Sequence, residues 1–146
     1  MNGTILTLCG GIGGAKLVYG LSKIIPDENL INIVNTGDDF VHYGLNISPD
    51  LDTVTYTLAG INDKEKGWGL EKETWAFLNQ LKVFAGEDWF QLGDKDLAIH
   101  IIRTTLLQQG KSLSEVTSFL KSKLGVKNLI VPMSETPVST LIQTNE

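Results

Sequence analysis

Residues 4–16 read TILTLCGGIGGAK, an apolar run that passes directly into four glycines around Ile12 and then into a helical pattern. A strand that turns at once into a helix opens a βαβ unit. Glycines at that turn let backbone N–H groups approach a phosphate at the helix N-terminus, where the macrodipole also favours negative charge. A nucleotide or phosphoester is therefore the expected ligand, with a plain tight turn as the competing explanation. Neither standard phosphate fingerprint fits. Gly11 and Gly13 begin a G-x-G-x-x-G, but Lys16 stands where the third glycine belongs. Ala15 precedes that lysine and Leu17 follows it, so a Walker loop fails as well.

Thr4 to Cys9 is the first expected strand and Ala15 to Ile25 the following helix, stopped by Pro26. Leu30 to Val34 (LINIV) is a second strand with Asn32 as its alternating polar residue. The crossover implies a parallel pair with ligands beyond the carboxyl ends of the strands. Asn35, Thr36, Asp38 and Asp39 of the NTGDDF stretch then belong beside Gly10, Gly11, Gly13 and Gly14. Ser48 caps a helix that stops at Gly60, with Leu51, Val54 and Leu58 as its buried stripe. Further helices are expected over Leu70 to Leu81, Asp94 to Gln109, and from a Ser112/Glu115 capping box to Gly125. Asn128 to Val131 and Ser139 to Gln143 read as two more strands. The fold class is α/β: a Rossmann-like three-layer sandwich with a mostly parallel sheet, one domain over residues 1–146. The chain stops straight after an expected strand, so it is expected to be the front part of a longer protein.

The 146 residues carry a net charge of -5. No basic stripe is available to release counterions from a nucleic-acid backbone, so the expected partners are small molecules. The lone Cys9 ends an apolar run and suits a reduced core thiol in the cytoplasm. No apolar run reaches the roughly 18 residues that a membrane span needs, so no membrane partner is expected.

Carboxylates recur at expected element starts: Asp38 and Asp39 after a strand, Asp50 and Asp52 in one helix's first turn, Asp94 and Asp96 in another's. Capping accounts for first-turn acids. It does not account for Asp38 and Asp39, which would meet a phosphate at close range. A divalent cation, Mg2+ by its taste for carboxylate, phosphate and water oxygens, removes the repulsion. A ribose hydroxyl is the alternative ligand for such an acid. Asp96, His100 and Arg103 share one helical face. That stripe is either a solvated surface or, facing a cleft, an anion-binding arginine with a titratable histidine. Trp68, between two glycines, is a platform for a flat ring.

GGIGGAKL, NTGDDFVHYGLNISPDLDTVTYTLAG, GWGLEKETW and WFQLGDKDLAIHIIR resemble successive blocks of the 2-phospho-L-lactate transferase family, and PMSETPVST is similar to a later block. The resemblance covers nearly the whole chain. It implies a magnesium-dependent transferase of deazaflavin coenzyme (factor 420) biosynthesis. Such an enzyme moves phospholactate, or phosphoenolpyruvate, from a guanosine diphospho-donor (lactyl-2-diphospho-5'-guanosine) to the ribityl hydroxyl of the deazaflavin Fo, releasing GMP. On that resemblance, Gly10, Gly11, Gly13, Gly14, Lys16, Asn35 and Thr36 hold the donor, and Asp38 and Asp52 hold the metal. Asp50 holds the acceptor and, with Asp52, forms the catalytic pair. Trp68, Asp94, Lys95, His100 and Arg103 complete the anion and acceptor site. A homodimer is a further expectation. The alternative is a non-catalytic nucleotide-sugar-binding regulator of the gluconeogenesis-factor type, which shares the glycine-rich opening but carries a DDGGSSG-like stretch where this chain has DDFVHYG. A nicotinamide oxidoreductase is disfavoured by the missing third glycine.

Overall fold

A computed structural model describes residues 3–84 and 86–144. Strands β1 (Ile5–Cys9), β2 (Leu30–Val34) and β5 (Leu129–Pro132) form a parallel sheet in the order β1-β2-β5. Helices α1 (Gly11–Ser22), α2 (Pro49–Ala59) and α5 (Leu113–Lys123) lie against it, while α3 (Ala76–Val83) and α4 (Asp94–Gln108) extend the helical layer. Because the sheet grows in one direction, right-handed crossovers put its helices on a single face. Ala15, Val18, Val34, Leu51, Val54, Val126 and Ile130 make the core there. The opposite face shows Leu6, Leu8 and Leu129 to solvent. The α/β Rossmann-like reading holds, with the described residues supplying the sheet and one of the two helical layers.

Asn32 is the polar residue of β2, yet it is fully buried on the helix-covered face with Leu30 and Val34. Its amide satisfies itself inside the sheet: Thr7 donates to Oδ1 at 2.8 Å and Nδ2 donates to the Leu129 carbonyl at 3.0 Å. A buried polar group so paired carries little penalty and ties β1 to β5 through β2.

Three expectations need correcting. Strand β1 meets helix α1 with only Gly10 between, so the helix starts four residues earlier than Ala15. The helix expected over Leu70 to Leu81 begins only at Ala76. Gly67, Gly69 and Lys72 all take positive φ, and Leu70 forms an isolated bridge to Asn62, which together hold that segment out of a helix. No strand forms over Ser139 to Gln143: Thr140 donates its N–H to the Gly37 carbonyl, and Leu141 and Ile142 are exposed without a sheet partner. The hairpin of β3 (Phe40–His42) and β4 (Leu45–Ile47) was not expected. Its two-residue turn puts both Tyr43 and Gly44 at positive φ, the geometry that matches strand twist.

Candidate active site

The carboxylate of Asp50, in the first turn of α2, is the meeting point of the glycine segment and the end of β2. Oδ1 accepts from the Gly11 N–H at 2.7 Å and Oδ2 accepts from Asn35 Nδ2 at 2.9 Å. Asn35 also donates to Asp38 Oδ2 at 3.2 Å, and its Oδ1 accepts from the Gly37 N–H at 3.0 Å. Asp38 and Asp50 therefore lie on either side of one amide nitrogen. The acid gathered with Asp38 is Asp50, whereas the sequence suggests Asp52.

The glycines divide by role. A Cβ on Gly10 would run into the Asp50 carboxylate, and one on Gly14 would stand 2.9 Å from Cys9 Cβ. These two are required by the protein's own packing. Gly11 sits at φ +58, and its N–H is already taken by Asp50. A Cβ on Gly13 would meet nothing within 4 Å. The N–H groups of Ile12 and Gly13, in the first turn of α1, have no carbonyl within the helix to bond. They are the donors left for an anion, with the exposed Lys16 one turn further along. Cys9 is accounted for by packing: its thiol faces the Ile33 carbonyl, and burial pushes its pKa up.

A second network lies deeper between α2 and α4. Arg103, buried, is ion-paired to Asp52 Oδ1 and donates to the Asn46 carbonyl at 3.3 Å. It also lies 3.0 Å from His100 Nδ1. A guanidinium can only donate, so that nitrogen accepts and the ring proton sits on Nε2, 3.4 Å from Asp96 Oδ2. Tyr56 donates to Asp96 Oδ1. Burial pushes the Asp52 carboxyl above its ordinary range despite the opposing pull of Arg103. Burial also acts to raise Asp96, but its neighbours His100, Tyr56 and Arg103 together bring it below the ordinary value. The Tyr56 hydroxyl is driven well up by burial and by the two carboxylates. The stripe of Asp96, His100 and Arg103 thus faces inward, while Ile101 and Ile102 of the same helix face solvent. Asp52, Asp96 and His100 each bring one ligand-type atom within 4.8 Å of the others.

This network floors a cavity of about 400 Å³ walled by Trp68, Trp89 and Phe90. Asp52 Oδ2 and His100 Nε2 are buried there without a hydrogen-bond partner. Trp68, the preferred ring platform in the sequence, and Trp89, also a stacking candidate there, both line it, whereas Tyr56 was not assigned to a site from the sequence.

Asp94 and Lys95 have structural partners. The Asp94 carboxylate accepts from the Thr74 hydroxyl at 2.5 Å and from the N–H groups of Ala76 and Phe77 at 2.9 Å, which caps α3. Glu73 returns the arrangement by accepting from the Lys95 and Asp96 N–H groups at the start of α4. Lys95 Nζ donates to the Glu71 carbonyl at 2.8 Å. The sequence suggested that Asp94 caps its own helix; it caps the neighbouring one.

A parallel α/β sheet with a glycine-built helix N-terminus, carboxylates at the strand ends and an aromatic-walled cavity defines an α/β protein with its candidate site at the carboxyl ends of the strands. The chain belongs to the 2-phospho-L-lactate transferase CofD family, whose match runs over residues 5–146. It is 42% identical over 142 residues to a 2-phospho-L-lactate transferase of Methanosarcina mazei, covering 97% of this chain and 47% of that protein. It is also 45% identical over 139 residues to a phosphoenolpyruvate transferase of Streptomyces avermitilis, covering 93% and 43% respectively. A phosphoenolpyruvate transferase of Nocardia farcinica is 46% identical over 134 residues, 90% of this chain and 40% of that protein. The chain spans less than half the length of these relatives. Among the described residues no helix is long and apolar enough to cross a membrane.

Proposed function

We propose that this chain forms the donor-holding and proton-accepting part of a cytoplasmic transferase that moves phospholactate or phosphoenolpyruvate from a guanosine diphospho-donor to the terminal hydroxyl of the deazaflavin Fo. The attacking oxygen forms a bond to the phosphorus that carries the three-carbon acid, the bridging P–O bond breaks, and GMP leaves with that electron pair. One proton is lost from the hydroxyl. Membership of the CofD family supports the reaction class. The observation that carries the reading is the bond between Asp50 and Gly11, which draws the anion-binding helix end and the carboxylates into one place.

The free N–H groups at the start of α1, with Lys16, bind the diphosphate. Mg2+ takes oxygen ligands and retains water, so the carboxylates of Asp38 and Asp50 fit it better than the cluster that includes His100 nitrogen. Asp52 is a poorer metal ligand than the sequence suggests, because Arg103 already neutralises one of its oxygens. When bound, the ion offsets charge on the diphosphate. The aromatic-walled cavity takes the flat ring of the acceptor on Trp68, with Trp89 also in its wall. Asp52 Oδ2, held by Arg103 on its other oxygen, accepts the hydroxyl proton, and His100 fixes the orientation of the pair. Asp94 and Lys95 act through the helix junction that shapes this cavity.

The test is GMP release by the enzyme containing this chain, supplied with donor, deazaflavin and Mg2+. GMP formed only when all three are present is the expected result. Deazaflavin binding without GMP release, or release independent of the deazaflavin, overturns the reading.

A further inference from the structure

We infer, resting on the reading of the aromatic-walled cavity as the acceptor site, that the β3–β4 hairpin positions that wall and that His42 is the positioning residue that holds Trp89 in it. His42 is a buried histidine outside the proton-accepting network of Asp52, Arg103 and His100.

The segment around Trp89 does not hold that ring by itself. Residues 86–93 form neither helix nor strand, and Trp89 lines the cavity while remaining 64% exposed. A large ring on an irregular segment has rotamers to lose, and a ligand stacking on it bears that ordering cost unless the protein has already fixed the ring. The sequence FVHY supplies the fixing. Strand alternation puts Phe40 and His42 on one face of β3 and the exposed Val41 on the other. The tight turn then brings the Tyr43 ring alongside His42, with 4.6 Å between centroids.

His42 is 4% exposed, and its ring meets Trp89 at 5.3 Å and Phe90 at 5.8 Å, with the planes 74° and 72° apart. Phe40 backs the same two rings at 5.3 Å and 5.1 Å. Edge-to-face contact of this kind needs a flat ring, which an aliphatic side chain of similar bulk does not supply. The backbone is tied to the same turn: the Tyr43 hydroxyl accepts from the Glu87 N–H, and Trp89 Nε1 donates to Glu87 Oε2 at 3.3 Å. The other strand of the hairpin reaches the base. The Asn46 N–H donates to Thr104 Oγ1 at 2.8 Å, and the Asn46 carbonyl accepts from Arg103, the partner of Asp52. One hairpin thus joins the ring wall to the carboxylate, so the protein and not the ligand sets the spacing between a stacked ring and Asp52.

The experiment is fluorine NMR of the enzyme containing this chain, labelled with 5-fluorotryptophan, followed by fluorescence titration of the unlabelled variants with the deazaflavin. Loss of one resonance in Trp89→Phe assigns Trp89. His42→Leu keeps the bulk and removes the ring. Its Trp89 resonance is expected to shift and broaden without ligand, while the other tryptophan resonances keep their positions and so report a folded variant. Deazaflavin binding is expected to weaken about tenfold in the same variant. His42→Phe returns a ring and is expected to restore both the resonance and the affinity. Movement of every tryptophan resonance alike, or of none, overturns the inference, as does a His42→Phe variant that restores neither property. Deazaflavin affinity that is the same in His42→Leu as in the unaltered enzyme, absence of binding by both included, overturns it too. GMP release is a separate readout: deazaflavin binding that follows the ring at position 42 without any GMP release overturns the transferase reading and leaves His42 in its positioning role.

Discussion

The Asp50 carboxylate stands where the first N–H of α1 points, 2.7 Å from Gly11 N, so the chain supplies its own anion to part of its anion-binding helix end. Gly10 is glycine because that carboxylate leaves no room for a Cβ. Gly10→Ala is therefore expected to push Asp50 away from Gly11 and Asn35. A forced contact of this kind costs about 1–3 kcal/mol, visible as a lower denaturation midpoint, and Mg2+ affinity measured by titration falls with it. Unchanged Mg2+ affinity would detach Asp50 from the metal site.

Gly13 gives the opposite expectation. Its Cβ position is open, and alanine is favoured over glycine inside a helix by about 1 kcal/mol. Gly13→Ala should raise thermal stability slightly while weakening inorganic diphosphate binding, because the added methyl occupies the approach to the free N–H groups. A variant that gains stability and binds diphosphate as before would show that the anion does not approach there.

Much of this arrangement was legible in the sequence, and the remainder follows a physical pattern. β1, β2, α2 and α5 could be read because their signals are local: apolar runs, Pro49 in a first turn, and the Ser112/Glu115 capping box, which forms with Glu115 N donating to Ser112 at 3.2 Å. The β3–β4 hairpin was missed because Tyr43 at positive φ is not a residue that announces such a turn. The pairing of Arg103 with Asp52 spans 51 residues, and no local pattern specifies it. A usable signal existed nonetheless. Asp52 and Tyr56 share one face of α2, and Asp96, His100 and Arg103 share one face of α4, so two polar stripes on otherwise apolar helices could have been set against each other.

That facing pair makes a stability prediction. Arg103→Leu leaves Asp52 buried without its counter-charge, and breaking such a pair from one side typically costs about 3–5 kcal/mol. Adding Asp52→Asn to Arg103→Leu should recover part of the loss, since the Asp52 charge that lost its partner is then removed. Denaturant unfolding of both single variants and the double variant measures the coupling. Additive losses would show that the two side chains do not interact energetically.

The junction of α3 and α4 is held by an exchange of caps, with Asp94 serving α3 and Glu73 serving α4. Hydrogen bonds from Thr74, Phe77 and Ala76 hold the Asp94 carboxyl below the usual range. A lowered folded-state pKa means that this cap contributes above the unfolded value and is lost as pH falls through the folded one. Asp94→Asn should lower the melting temperature by a few degrees at pH 7 and by less in acid. Glu73→Gln should add little further loss, because both residues secure the same corner. A full second loss in the double variant would show that the two caps act independently.

Asp39 titrates with the opposite sign. Burial raises its carboxyl to about 6, against the hydrogen bond from Ser48 and the charge of Arg103, with Asp52 and Asp50 adding to the rise. Between the unfolded value, near 3.8, and the folded one, the folded chain holds more protons than the unfolded chain. Stability from this group is therefore greatest at low pH and declines as pH rises toward and through 6. The full shift is reduced by solvent screening at this half-buried site, which leaves about 1–2 kcal/mol. Asp39→Asn is expected to flatten that decline, so that the variant is the more stable form at pH 7.5 and shows no advantage near pH 4. Urea unfolding of the ligand-free chain across pH 4 to 7.5 measures both slopes. Parallel curves for the two proteins would show that Asp39 is ionised as readily in the folded chain as in the unfolded one.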